Sequence, residues 1–273
     1  MEVHTSRRRF LCSVVAFCAA LACWSPGTSE AARILMHGRE EGPTFRNDPE
    51  MFAHLVSLFG EGNVDYMAAI SAAADGSTAT GYDAIVISSS MGSNDIRGKY
   101  EDTRVGVLNM ENAIVDKGVG EFQMSSASGN TGDAHDRVQI VNTSHPLAAG
   151  LSGTIQVFNN TRSMQLGKGS LAPGAVVIAT QALPNPDNTE EVTIFAVDAG
   201  GALLGDGSEG MPAVAAGRRV MFFVSDPGFA DLTDDGVKLF NAAVNWAAVP
   251  EPGSFALCAI GLFGLLGRRP ARR

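Results

Sequence analysis

The sequence predicts one α/β domain over residues 32–248, with a mainly parallel sheet, helices on both faces and β extensions in the second half. Three observations carry this. Apolar runs such as 84–87 show no alternation, as expected of strands covered on both sides. Helical stripes separate the early runs. After residue 137 short β-type runs follow one another closely. In chain order, residues 32–36 open with a strand. Asn47-Asp48-Pro49-Glu50 starts a helix, with Asp48 as the expected cap, Pro49 at the first helical position and Glu50 complementing the dipole. Phe52, Leu55, Val56 and Phe59 give that helix one apolar stripe, and Gly60 ends it. Strands are expected over 63–68, 82–88 and 104–110, then over 138–141, 154–158, 175–180, 192–197 and 220–224. The closing helix begins at Thr233, whose hydroxyl caps, and buries Val237, Phe240, Ala243, Val244 and Ala247.

Both ends read as addresses. Residues 1–31 hold Ser6-Arg7-Arg8-Arg9-Phe10-Leu11, an apolar run to Trp24 and the small-residue stretch Ser29-Glu30-Ala31, the order of an export signal peptide. Ser-Arg-Arg-x-Phe-Leu also resembles the twin-arginine signal, so the general secretory and twin-arginine translocons both fit. Residues 249–273 hold Pro250-Glu251-Pro252, an apolar run over 254–267, and the cluster Arg268, Arg269, Arg272 and Arg273. As a helix that run spans about 21 Å, short of a ~30 Å hydrocarbon core, which suits transient membrane holding better than permanent anchoring. Motif, short apolar helix and arginine cluster together resemble the PEP-CTERM sorting signal. That resemblance implies a Gram-negative bacterium, processing by an exosortase-type membrane enzyme, and a final place at the cell surface or outside the cell. Basic residues flank the outer side of each apolar run, which independently places the middle outside the cytoplasm.

Removing the ends changes the chemistry of what is left. They carry seven arginines and three acids (Glu2, Glu30, Glu251), so residues 32–250 keep 13 basic and 26 acidic residues, a net of −13. Nucleic acid is excluded as a partner, while extracellular polysaccharide is compatible. Cys12, Cys18, Cys23 and Cys258 all lie in the terminal segments. The domain therefore has no disulfide framework, no Cys-ligated zinc site and no cysteine nucleophile.

Four stretches carry a second resemblance: Tyr82-Asp83-Ala84-Ile85-Val86-Ile87-Ser88-Ser89-Ser90, Val105-Gly106-Val107-Leu108-Asn109-Met110-Glu111, His145-Pro146-Leu147-Ala148-Ala149-Gly150-Leu151, and the closing helix from Leu232-Thr233-Asp234-Asp235-Gly236 to Asn245-Trp246-Ala247. In this order they are similar to the secreted, trehalose-utilisation-like (ThuA-like) branch of the class I glutamine amidotransferase-like fold, over nearly all of residues 33–248. The resemblance implies a flavodoxin-like three-layer sandwich. It does not imply amidotransferase chemistry, whose nucleophile is a cysteine.

In a sheet of this kind ligands bind beyond the carboxyl ends of the strands. That rule nominates Ser89, Ser90, Glu111, His145 and Asp226 as candidate catalytic residues, and His37, Asn94, Asn109 and His135 as candidate ligand contacts. No Gly-x-Ser-x-Gly elbow occurs, and the hydroxyls of 88–90 are expected to bond the backbone that follows them. Glu111 ends an apolar strand, where pairing with Arg97, Lys99 or Arg104 is the favoured explanation. His145 before Pro146 reads as a turn leading into a short helix. No metal site is expected: Gly38 breaks the His37-x-x-Glu40 spacing, and the oxygen-rich Asn185–Glu191 stretch reads as a solvated hairpin. Gly118-x-Gly120 and Gly167-Lys168-Gly169-Ser170 match no phosphate-binding loop, so no cofactor is expected either. These readings favour a non-catalytic binding module for glycan or a protein partner. The alternative is a secreted carbohydrate-active hydrolase or isomerase at the carboxyl ends of the strands.

Overall fold

The computed structural model describes residues 31–132, 135–182 and 191–249. The chain runs β1 (Ile34–Gly38), α1 (Asp48–Phe59), β2 (Val64–Ala68), β3 (Ala84–Ile87), α2 (Ser93–Ile96), β4 (Gly106–Asn109), β5 (Ser125–Asn130), β6 (Arg137–Ile140), β7 (Gly153–Gln156), β8 (Gln165–Leu171), β9 (Ala175–Gln181), β10 (Val192–Val197), β11 (Arg219–Phe222) and α3 (Asp234–Ala248). All eleven described strands join one sheet, in the order β2-β1-β3-β4-β11-β10-β9-β6-β7, with β8 joined to β10 and β5 to β8. The half β2-β1-β3-β4-β11 is parallel, with β11 set against β4 so that Val220 faces Leu108. From β10 onward every pairing is antiparallel. The last strand in the sequence thus lies in the middle of the sheet.

The central strands bury both faces, which is why their sequences do not alternate. Ala84, Val86, Leu108, Val220 and Phe222 enter one core with Met51 and Leu55 of α1 and Leu239, Phe240 and Val244 of α3. Ile85, Ile87, Val107 and Met221 enter the other, with Ile96, Tyr100, Ile114, Phe122 and Leu203. Here the architecture departs from expectation, because both long helices lie on the same face. The second face is closed by one-turn helices, the segments around residues 100, 122 and 203, and the β5–β8 pair. Its apolar residues fall singly within loops rich in glycine, serine and acids, so no helical stripe forms there.

Helix α1 begins as Asn47-Asp48-Pro49 predicts, but its cap is different. Asn47 occupies the cap position without a side-chain cap bond, and Asp48 points inward instead. In α3 the expected cap is present: Thr233 Oγ1 accepts from the Gly236 amide at 3.1 Å. The two helices meet through His54 Nε2 and Asn241 Oδ1, 2.6 Å apart, with the His54 ring against Phe229 and Phe240. Helix α3 comes so near β4 that a Cβ on Gly106 would enter the Ala247 carbonyl. Strands β5 and β8 lie outside every run expected to be a strand. Their Ser-Ser-Ala-Ser-Gly-Asn and Gly-Lys-Gly-Ser segments carry almost no strand propensity and pair mainly with each other.

Fully buried Arg219 ties the second face to β11. Its Nη1 donates to the carbonyls of Val105 and Arg218, and its Nη2 to those of Tyr100, Glu101 and Thr103. Burial draws its pKa down to about 10, against the upward pull of Asp102 and Glu101. No helix among the described residues is long and apolar enough to cross a membrane. The apolar run 254–267, the signal peptide and residues 185–190 lie outside the described residues.

Candidate functional site at the carboxyl edge of the sheet

The chain turns from β1 through α1 to β2 on one side, and then crosses to β3 on the other. The point between β1 and β3 is therefore the topological switch, where an open parallel sheet leaves a crevice. In this protein Asp48 fills it. Its Oδ1 accepts from Ser88 Oγ at 2.7 Å, and its Oδ2 from Ser90 Oγ at 2.7 Å and Tyr66 hydroxyl at 2.9 Å. Asp48, Ser88 and Ser90 are all buried. Burial and the neighbouring carboxylate push the Tyr66 phenol well above its ordinary range. A Cβ on Gly38 would enter the Tyr66 hydroxyl and Asp48 Oδ2, so a glycine is required where β1 ends. The expected local bond exists as well, with Ser88 Oγ accepting from the Ser90 amide at 3.2 Å.

Beside this network Arg46, in a left-handed conformation with φ 48°, reaches across to the end of β11. Its Nη1 lies 2.9 Å from Asp226 Oδ2, and its guanidinium carbon 5.1 Å from the Phe45 ring centre. Asp226, in a cis peptide bond with Pro227, has its carboxyl pushed upward, chiefly by burial and against the pull of Arg46. Asp226 Oδ1 and Asn47 Nδ2 are buried without a hydrogen-bond partner among the described residues. An acceptor atom and a donor atom without partners thus mark the start of α1, a costly arrangement in a folded interior.

The histidines are bound elsewhere. His37 is buried on β1, with Nε2 2.8 Å from the Tyr100 hydroxyl and Nδ1 3.2 Å from the Met67 carbonyl; burial lowers its pKa to about 4. His135 lies against Gln181 Nε2 at 2.8 Å, farther along the same edge. His145 starts the one-turn helix 146–148, with Nδ1 accepting from the Leu147 amide at 3.2 Å, and its ring rests 5.7 Å from that of Trp246. Its field comes from Asp198 and Arg218, residues at the amino end of β11. Asp226 follows the other end of that strand, about 13 Å away at ~3.3 Å per residue. His145 therefore does not join the candidates at the carboxyl edge.

Glu111 stands at that edge, just past Met110 at the end of β4. The expected basic partners are engaged elsewhere: Arg97 with Glu121 at 2.8 Å, and Lys99 with the Ala69 and Ile70 carbonyls. Arg104 makes no ion pair with it among the described residues. Glu111 instead accepts from the Ala113 amide at 3.3 Å, capping the one-turn helix 112–114, while Asn109 folds its amide against the Glu111 main chain. The cap explains a carboxylate here as well as an ion pair would. Burial raises its pKa to about 7. Asn94 is exposed on α2 and accepts from Arg97 at 3.0 Å. Ser89 lies half-buried between Ser88 and Ser90.

Sequence reasoning therefore missed Asp48, Tyr66, Arg46 and Asn47. Asp48 carried the signal of a helix cap, and no local pattern distinguishes that role from a buried acceptor for a strand 40 residues away. Among the described residues no group of three or more histidines and carboxylates is placed to hold a metal.

A family profile described as the PEP-CTERM protein-sorting motif matches residues 248–273. No curated protein matches the chain. Among solved structures, the chain is similar to a ThuA-like protein from Bacteroides uniformis, with TM-score 0.52 and 11% identity, over 82% of this chain and 94% of that one. At that identity the likeness concerns the fold alone. The C-terminal segment marks an exported protein processed by an exosortase, a membrane enzyme.

Proposed function

We propose that this exosortase-sorted protein displays its central domain outside the cell as a non-catalytic binding module for glycan or a protein partner, with the carboxyl edge of the sheet as its ligand face. One observation carries this reading. The hydroxyls of Ser88 and Ser90, at 2% and 4% exposure, both donate to Asp48, and no described histidine is hydrogen-bonded to a serine side chain. Acyl transfer needs a nucleophile within hydrogen-bond reach of its base, and these serines are held as donors to a carboxylate. The order β2-β1-β3-β4-β11 supports a flavodoxin-like reading of the parallel half. The apolar run 254–267 holds the protein briefly at the inner membrane before the segment is processed. The test is calorimetric titration of the purified protein with extracellular polysaccharide from an exosortase-bearing strain. Binding is expected, and Asp226→Asn together with Arg46→Ala should abolish it. Hydrolysis of simple glycosides or esters that disappears in Glu111→Gln would replace this reading.

A second reading rests on Glu111 itself. A carboxyl near pKa 7 at the strand ends, without a basic partner among the described residues, exchanges protons at neutral pH as a general acid or base must. A carbohydrate-active hydrolase or isomerase working through Glu111 would show a pH–rate profile with an inflection near that value.

A further inference from the structure

The sorting match begins at Ala248, the last residue of α3, so no spacer separates the folded domain from Pro250-Glu251-Pro252. The junction is held on both sides. Arg218 Nη1 donates to the Trp246 carbonyl at 2.9 Å and to the Val249 carbonyl at 3.4 Å, and the guanidinium lies 4.7 Å from the Trp246 ring centre. Trp246, Ala247 and Ala248 are buried, and Arg218 Nε faces Asp198 Oδ1 at 3.5 Å. Even fully extended, the chain from Val249 to Pro252 reaches about 11 Å. A folded enzyme of ordinary size has a radius of gyration of ~13 Å or more, so it cannot grip the motif while standing clear of the domain. The alternative, unwinding the last turn of α3, exposes Trp246 and breaks the Arg218 clamp, at a cost of several buried contacts.

We propose that the sorting enzyme processes this protein with the folded domain seated against it, on the face around Arg218 where exposed Pro146, Asp198 and Val249 surround the end of α3. This rests on the exosortase reading of the C-terminal segment. The face lies at the amino ends of the parallel strands, so the carboxyl-edge site points away from the enzyme during processing.

The test follows loss of the C-terminal segment from the full chain by pulse-chase and intact mass, in a strain carrying the exosortase and in its deletion mutant. Asp198→Arg and Pro146→Glu alter the face at native spacing, and a Gly-Ser insertion of about ten residues between Val249 and Pro250 releases the domain from the motif. The expected result is that both substitutions slow processing on the order of tenfold, as an altered interface charge slows association, and that the insertion restores the wild-type rate in both. Wild-type rates in both substituted proteins overturn the proposal. So does equal slowing with and without the insertion, or faster processing when the insertion is placed in the wild type, which would make the domain an obstacle. Thermal melts of the two variants show whether slowing reflects lost folding. If the wild type itself is processed equally in both strains, the exosortase reading fails, and that outcome is distinct from the others.

Discussion

Glu111 and His37 titrate in opposite senses across the same range of pH. Burial lifts Glu111 from 4.5 to about 7, so the folded state holds a proton there that the unfolded chain has released, and stability is lost as pH rises from 4.5 through 7. Burial lowers His37 from 6.5 to about 4, with Lys99 adding to the effect, so stability is lost as pH falls from 6.5 through 4. Between pH 4.5 and 6.5 the two slopes offset each other. In Glu111→Gln only the histidine slope remains there. Urea unfolding over a pH series should show the variant level with the wild type below pH 4.5 and about 3 kcal/mol more stable at pH 8. A variant no more stable than the wild type at pH 8 would mean that the Ala113 amide outweighs burial in setting the Glu111 pKa. Asp48 makes a separate prediction. Asp48→Ala leaves the hydroxyls of Ser88, Ser90 and Tyr66 without their acceptor, and should cost about 3 kcal/mol or more in the same measurement. How little of this site was legible beforehand follows from its chemistry. Glu111, Ser90 and Asp226 were nominated by strand ends, which a sequence marks clearly. Asp48 reads from the sequence only as part of the helix it begins, because its three partners lie 18 to 42 residues away and no local spacing links them.

At the level of elements, patterns that repeat along the chain were readable, and pairings that depend on partners were not. The stripe Phe240, Ala243, Val244 and Ala247 and the cap at Thr233 define α3 from either view. Strands β5 and β8 have no stripe or alternation to read, and only their mutual pairing makes them strands. The placement of both long helices on one face was equally hidden, since a stripe says that a helix is buried and not which face of the sheet it covers. The packing of α3 is concentrated on Phe240, whose ring meets those of Phe222 and Phe229 edge-on at centroid distances of 6.0 and 4.9 Å. Phe240→Ala should cost about 3–5 kcal/mol in chemical unfolding, with the higher value if the surrounding rings do not collapse into the space. Gly106→Ala tests the contact on the other flank: its Cβ meets the Ala247 backbone and must push α3 off β4, so a lowered melting temperature with unchanged helix content is expected.

At the level of the whole molecule, β11 has consequences out of proportion to its four residues. It lies between β4 and β10 and joins the parallel and antiparallel halves, although more than a hundred residues separate it in sequence from the strand it pairs with in parallel, Arg219 facing Val107. A protein ending at Arg218 should lack cooperative unfolding by calorimetry, because it would open new sheet edges on β4 and β10 and leave the carbonyls of Tyr100, Glu101, Thr103 and Val105 without the Arg219 donor. During synthesis the N-terminal half of the chain emerges first, yet it stays an incomplete half-sheet until the final central strand and the helix behind it arrive. The residues that complete the sheet are followed within about thirty positions by the sorting segment. Maturation of the fold and presentation of the address are thereby compressed into a single late moment. A chain stalled short of that moment offers neither a finished domain to its ligand nor a motif to the sorting machinery.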